Sequence, residues 1–197
     1  MKKLIAPTTL IIMLVCTSAA LAHGTTVPIS GIQKAEDLSV CAATDPETGG
    51  PAYPQPMTGS LIGCWYTDPG TGVEGTPTPD LVYVFTGTEH FVGCLDLTRQ
   101  GRCTPADPTG SLALTYTFEA QYTQSGNEIW GRCQHGIVPN MGTGGFAGAA
   151  GWLDFTDNVT LGTSDYQGYI TLAGRRRAAH ATKATALALV RRSKSMC

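Results

Sequence analysis

Few residues in this chain are equipped to do chemistry, and Glu119, Arg132 and His135 are the leading ones: an acid, a fixed cation and an imidazole, all in runs with strand-like alternation. Glu89 and Asp96 are further polar candidates in the same kind of setting. Groups of these types, held in a water-poor pocket, can move a proton or stabilise developing charge. A cyclase or isomerase needs little beyond that, because much of its effect comes from holding a substrate in one folded conformation. The same residues also have a structural reading. Glu119 and Arg132 could pair on an outer face, where such a pair contributes little, and His135 could bond a backbone group.

Other chemistries find less support. There is no Gly-x-Ser-x-Gly elbow and no zinc-protease histidine pair, so ordinary hydrolase machinery is not expected. No Cys-x-x-Cys pair occurs and the four histidines are scattered, so cysteine-held zinc is not expected either. The glycine block at Gly142, Gly144, Gly145, Gly148 and Gly151 is not read as a phosphate cradle, since a strand-like run follows it where a helix would be needed. Its glycines permit bulges and close backbone approach in a coiled sheet. One metal reading is retained. Cleavage after Ala22 would leave His23 at the N-terminus, where the amine and imidazole together suit Cu(II). A brace of that kind needs a second histidine, from His90, His135 or His180. No cofactor is expected otherwise.

A candidate ligand surface comes from the clearest periodicity in the chain. Over residues 112–121, Leu112, Leu114, Tyr116, Phe118 and Ala120 alternate with Ala113, Thr115, Thr117, Glu119 and Gln121, the period of a half-buried strand. Leu112, Leu114, Tyr116 and Phe118 would line an apolar cavity, or else pack a closed core or an oligomer contact.

The elements that must position these residues are short and β-rich. Twenty-four glycines and twelve prolines, spread in turn-like clusters, favour many short elements over a few long helices. Strands are expected over 60–66, 81–85, 90–97, 112–121, 127–138, 152–155 and 166–172, with 81–85 and 90–97 as neighbours separated by a break at Gly87. Asn158-Val-Thr160 is a glycosylation sequon, read as a turn. Residues 23–57, with Asp45-Pro46, Gly49-Gly50-Pro51, Pro54 and Pro56, read as an extended arm that Cys41 could pin. The expected fold is all-β, and regularly spaced short strands leave two solutions that periodicity does not separate, a sandwich or a single antiparallel up-and-down barrel of about eight strands over 58–173, with an irregular N-terminal arm and a basic C-terminal tail.

The first residues carry the marks of export. Lys2 and Lys3 precede an apolar run from Leu10 to Val15 and then Ala20-Leu21-Ala22, the layout of a cleavable leader over 1–22. The run is far shorter than the roughly 20 residues that span a bilayer. Removing the leader leaves Cys41, Cys64, Cys94, Cys103, Cys133 and Cys197, an even set that favours disulfides in an exported chain. Cys94 and Cys103 flank a short segment containing Gly101 and are expected to bridge, and Cys64 with Cys133 is the second expected pair.

Charge is segregated along the chain. Between residues 23 and 173, four basic residues face all fifteen acids, a net −11, whereas 174–197 holds seven basic residues and no acid. An acidic body repels phosphates, so nucleic acid is excluded as a partner of the barrel. Only the tail could meet an anionic surface.

The runs Gly131-Arg-Cys-Gln-His-Gly-Ile-Val-Pro139, Gly142-Thr-Gly-Gly-Phe-Ala-Gly-Ala-Ala-Gly151 and Trp152-Leu-Asp-Phe-Thr-Asp157, with Gly63-Cys-Trp-Tyr66 and Gly93-Cys-Leu-Asp96, resemble the allene oxide cyclase/dirigent barrel superfamily, and in particular its secreted bacterial members. The likeness covers roughly 58–172. It implies an eight-stranded antiparallel barrel, often oligomeric, with an apolar cavity. Catalysts and proteins that only hold a substrate both occur in that superfamily, so the likeness does not by itself imply an enzyme. The basic tail has no counterpart in it. The expected function is a secreted barrel that binds or orients a small apolar molecule; the alternatives are a cofactor-free cyclase or isomerase in the same pocket, and copper binding through His23.

Overall fold

The computed structural model describes residues 24–68, 72–98 and 103–173. The leader, His23 and the basic tail lie outside them, and so does Cys197. Nine strands follow in chain order: β1 (Thr25–Gln33), β2 (Tyr53–Gly59), β3 (Leu61–Thr67), β4 (Val73–Glu74), β5 (Val82–Leu95), β6 (Gly110–Tyr122), β7 (Glu128–Ile137), β8 (Ala150–Asn158) and β9 (Thr163–Leu172). Each stave pairs antiparallel with its chain neighbour, β3 pairs with β5, and β9 pairs with β1. Eight strands therefore close into an up-and-down barrel, and β4 lies outside the ring, paired only to β5.

Alternation decides which side chains fill the barrel. On β6, Leu112 and Leu114 are fully buried while Glu119 is exposed, as a period of two requires. Leu61 and Trp65 of β3, Phe91 of β5, Ile137 of β7, Leu153 and Phe155 of β8 and Ile170 of β9 complete the core with them. The loop after β7 closes one end. Gly144 and Gly148 take φ of +51° and +70°, conformations open mainly to glycine, and they let a single 3₁₀ turn, Gly144–Phe146, fold over the barrel base. There Phe146 is 1% exposed and sits edge-on to Phe91 at 5.8 Å. Thr143 Oγ1, which accepts from Ser111 N at 3.0 Å, ties the turn to β6. The glycine block is thus chiefly a plug; only Gly151 falls within the following strand, β8.

Three expectations are corrected. Residues 34–52 keep the irregular character expected of the 23–57 segment, but β1 and β2 on either side of them are staves of the barrel. Val27, Ile29 and Gln33 of β1 face inward in alternation, a pattern that Pro28 and the outward Ile32 conceal. Residues 81–85 and 90–97 are not two neighbouring strands, since Val82–Leu95 is one continuous strand. Gly87 does not break it. A Cβ there would collide with the ring of Tyr116, its partner on β6. Cys64 does not pair with Cys133. Cys64 points outward and bonds Cys41, whereas Cys133 faces the barrel interior as a free thiol. The Cys94–Cys103 bridge is present. A cysteine on each side of a barrel wall cannot meet another through it.

Candidate functional site

The inward side chains change character along the barrel axis. Towards the plugged end they are aliphatic and close-packed. Towards the other end they are aromatic and leave a cavity of about 380 Å³. Tyr116 and Phe118 of β6 line it with Phe85 of β5, and all three keep partial exposure, unlike Leu112 and Leu114 one turn of the pleat deeper. Gly87 makes room for Tyr116 to lean across β5. Gln33, Gln55, Tyr122, Asp157 and Ser164, all at strand ends, form the rim.

The floor of the cavity is a buried polar cluster set among aromatic rings. Glu89 of β5 accepts a hydrogen bond from Trp65 Nε1 at 2.8 Å and another from Thr67 Oγ1 at 2.7 Å, both from β3. His135 of β7 places Nε2 2.7 Å from Glu89 Oε2, with both side chains nearly buried. An ionised carboxylate can only accept, which would put the imidazole proton on Nε2; Cys133 Sγ lies 3.3 Å from the same nitrogen. Three donors then satisfy Glu89, the arrangement a buried carboxylate requires. The His135 ring is held edge-on to Trp65 at 4.9 Å and to Phe155 at 4.5 Å. Its Nδ1 is buried and has no hydrogen-bond partner among the described residues.

Carboxylate charge is felt throughout the cavity. Burial pushes the Tyr116 hydroxyl up from its ordinary pKa, and the charge of Glu89 pushes it further. Burial likewise drives the Cys133 thiol far above the usual range, with Glu89 and Asp157 adding to the effect. Cys133 is therefore a poor nucleophile, since the thiolate is the reactive form. At the rim, burial and the neighbouring Asp157 raise Glu128 to about 7. Gly131 permits this pairing, because a Cβ there would collide with Asp157 Oδ2 and Glu128 Oε1.

Of the expected catalytic residues, only His135 is in the cavity. Glu119 is exposed on the outer face of β6. Arg132 is also outside, opposite Glu119 in register but bonded through Nε and Nη2 to Asp154, each at 2.8 Å. Both follow from parity: His135 is inward on β7, so Arg132, three residues away, must face out. Asp96 is buried in a turn after β5, where Oδ1 accepts from Thr98 N at 3.1 Å. Of the expected ligand residues, Tyr116 and Phe118 line the cavity, whereas Leu112 and Leu114 belong to the packed core. Sequence reasoning missed Trp65, Thr67, Phe85, Tyr122, Phe155 and Asp157 as lining residues. Reading 82–95 as one strand would have set Phe85 and Glu89 on the same face as Phe91.

A second polar cluster lies on the outer wall. His90 Nδ1 is 2.7 Å from Asp45 Oδ2, an ion-pair contact without the alignment of a hydrogen bond, and one ligand atom each of Asp45, Asp68 and His90 lie within 4.8 Å of one another. This donor set could hold a divalent cation. Asp45 also caps its own turn, accepting from Glu47 N at 2.9 Å, so the cluster already fastens the 34–52 segment to the barrel. Copper at His23 falls outside the described residues.

The fold and the site together define an antiparallel eight-stranded barrel with one aromatic, carboxylate-bearing cavity. No family model, curated protein or solved structure matches the chain.

Proposed function

We propose that this protein binds and orients a small, largely apolar molecule in the open half of its barrel. The observation that carries the reading is the pair of faces on β5 and β6 where Phe85, Tyr116 and Phe118 remain partly exposed around a cavity of about 380 Å³. Large inward aromatics in a filled barrel would be buried as Leu112 and Leu114 are. The volume lies within the range of small-ligand sites, roughly 300–1,000 Å³. The resemblance to the allene oxide cyclase/dirigent superfamily agrees with a holding role, and export is supported by the leader-like residues 1–22 and by two disulfides, bonds that persist in oxidising compartments.

Native mass spectrometry of protein purified from its producer tests the reading, together with titration of the neutral dye N-phenyl-1-naphthylamine. A retained mass or saturable dye binding is expected. Unliganded protein that also leaves the dye unbound would remove the reading.

A second reading, a cofactor-free isomerase or cyclase, is favoured by one feature, the buried Glu89–His135 pair at the cavity floor. In it His135 exchanges a proton with the bound molecule and Glu89 holds the imidazole in position. His135→Asn should then abolish turnover of the identified ligand while binding persists. Undiminished turnover would remove His135 as the proton-exchanging group, and no turnover by the native protein would leave a binder only.

A further inference from the structure

The cavity has a marked chemical bias that its apolar volume alone does not explain. Six aromatic side chains face it: Trp65, Phe85, Tyr116, Phe118, Tyr122 and Phe155. Among the described residues, its acidic lining groups are Glu89 at the floor and Asp157 at the rim, and no lysine or arginine lines it. The nearest basic residue in sequence to the rim, Lys34, is exposed beside Asp37. Arg132 is turned outward and occupied by Asp154.

We infer that the molecule this cavity takes is a small organic cation: a protonated amine or quaternary ammonium on an apolar body. The inference rests on the binding reading above and narrows it. Aromatic faces present negative charge to a ligand, and a cation within about 6 Å of a ring centroid is held more tightly, the more so as it is desolvated. Carboxylates at both depths would repel an anion and leave a neutral ligand with nothing to offset them. Glu89 is already held by three donors, so the carboxylate that would meet a cation is Asp157, which accepts a hydrogen bond from Ser164 Oγ at 2.5 Å and has Glu128 against it.

The titratable groups of the cavity report the same field. Tyr116, Tyr122, Cys133 and Glu128 are all raised by burial first, and in each a carboxylate charge adds to the rise. Burial, and after it the charge of Asp157, leave Glu128 holding its proton near neutrality, and an arriving cation would relieve the repulsion between the two acids. The net −11 of residues 23–173 draws cations towards the barrel from a distance.

The test uses three ligands of nearly one shape: phenethylammonium, 2-phenylethanol and phenylacetate. Binding is followed by calorimetry and by tryptophan fluorescence on the full mature chain. The ammonium should bind about tenfold or more tightly than the alcohol, and phenylacetate more weakly than either. Asp157→Asn should erase the ammonium's advantage and leave the alcohol unchanged; should that variant fail to fold, Glu128→Gln at pH 8 should reduce the advantage. Equal or tighter binding of the alcohol or the carboxylate overturns the cation inference while the binding reading stands. Calcium that binds the Glu128–Asp157 pair and leaves phenethylammonium unbound overturns it too. If none of the three binds and N-phenyl-1-naphthylamine also fails, the binding reading itself falls.

Discussion

At the rim of the cavity, two carboxylates that sequence separates by 29 positions, Glu128 and Asp157, meet because β7 and β8 are paired and Gly131 leaves no Cβ between them. Burial of Glu128 and the charge of Asp157 together leave a pH signature. Glu128 is raised in the folded state from 4.5 to about 7, so it binds a proton more tightly folded than unfolded. Its contribution to stability is then fully present below pH 4.5 and is lost as the pH rises through 7. Glu128→Gln should therefore melt close to the native protein at pH 4.5 and above it at pH 8, as scanning fluorimetry would show; a difference that does not change with pH would mean that Glu128 is not raised in the folded state. Neighbouring exposed groups behave differently. Arg132 and Asp154 form a bidentate but solvent-facing pair, the kind that contributes little to stability.

Among the elements, the short turn Gly144–Phe146 matters more to stability than its length suggests. It is the floor beneath the aliphatic half of the core, and Phe146 fills space between Phe91 and the ends of the surrounding staves. Phe146→Ala should cost about 3–5 kcal/mol, the usual loss for deleting a buried ring, seen as a lower urea midpoint. Ligand binding should survive, because Phe146 is not a lining residue of the cavity. A cost below about 1 kcal/mol would indicate that the turn merely rests on the barrel. At the opposite side of the core, Tyr166 bridges the sharp β2–β3 bend, where Leu61 N donates to its hydroxyl at 2.8 Å and the hydroxyl donates to Thr58 O at 3.1 Å.

For the whole molecule, the barrel is closed by strands and strapped from outside. The Cys41–Cys64 bridge, joining positions 23 residues apart, clamps the 34–52 segment against β3, with Tyr66 buried beneath it and Asp45 paired to His90. Closing a loop of that size stabilises by about 3 kcal/mol. Replacing Cys41 and Cys64 together by alanine should lower stability by about that amount, and peptide mapping of the native chain should recover Cys41–Cys64 and Cys94–Cys103, with Cys133 alkylated only after unfolding. A Cys64–Cys133 peptide would contradict the barrel's sidedness.

What the sequence determined by itself was local. The alternation on β6, the turn at Asn158 and Gly162, the short Cys94–Cys103 loop and the all-β class all depend on neighbours within a few residues, where period and turn chemistry act directly. Tertiary structure decided the rest. That Gln33 and Gln55 meet Asp157 at one rim follows from β1 pairing with both β2 and β9, the latter a contact between segments more than a hundred residues apart. Glu89 joins His135 for the same reason: both are inward on strands that flank β6, and inwardness is fixed by register, which no local pattern encodes once a glycine interrupts it. A closed ring assigns each residue to one of two sides. That choice moved Arg132, Glu119 and Cys64 outside, and left the cavity to its aromatics and carboxylates.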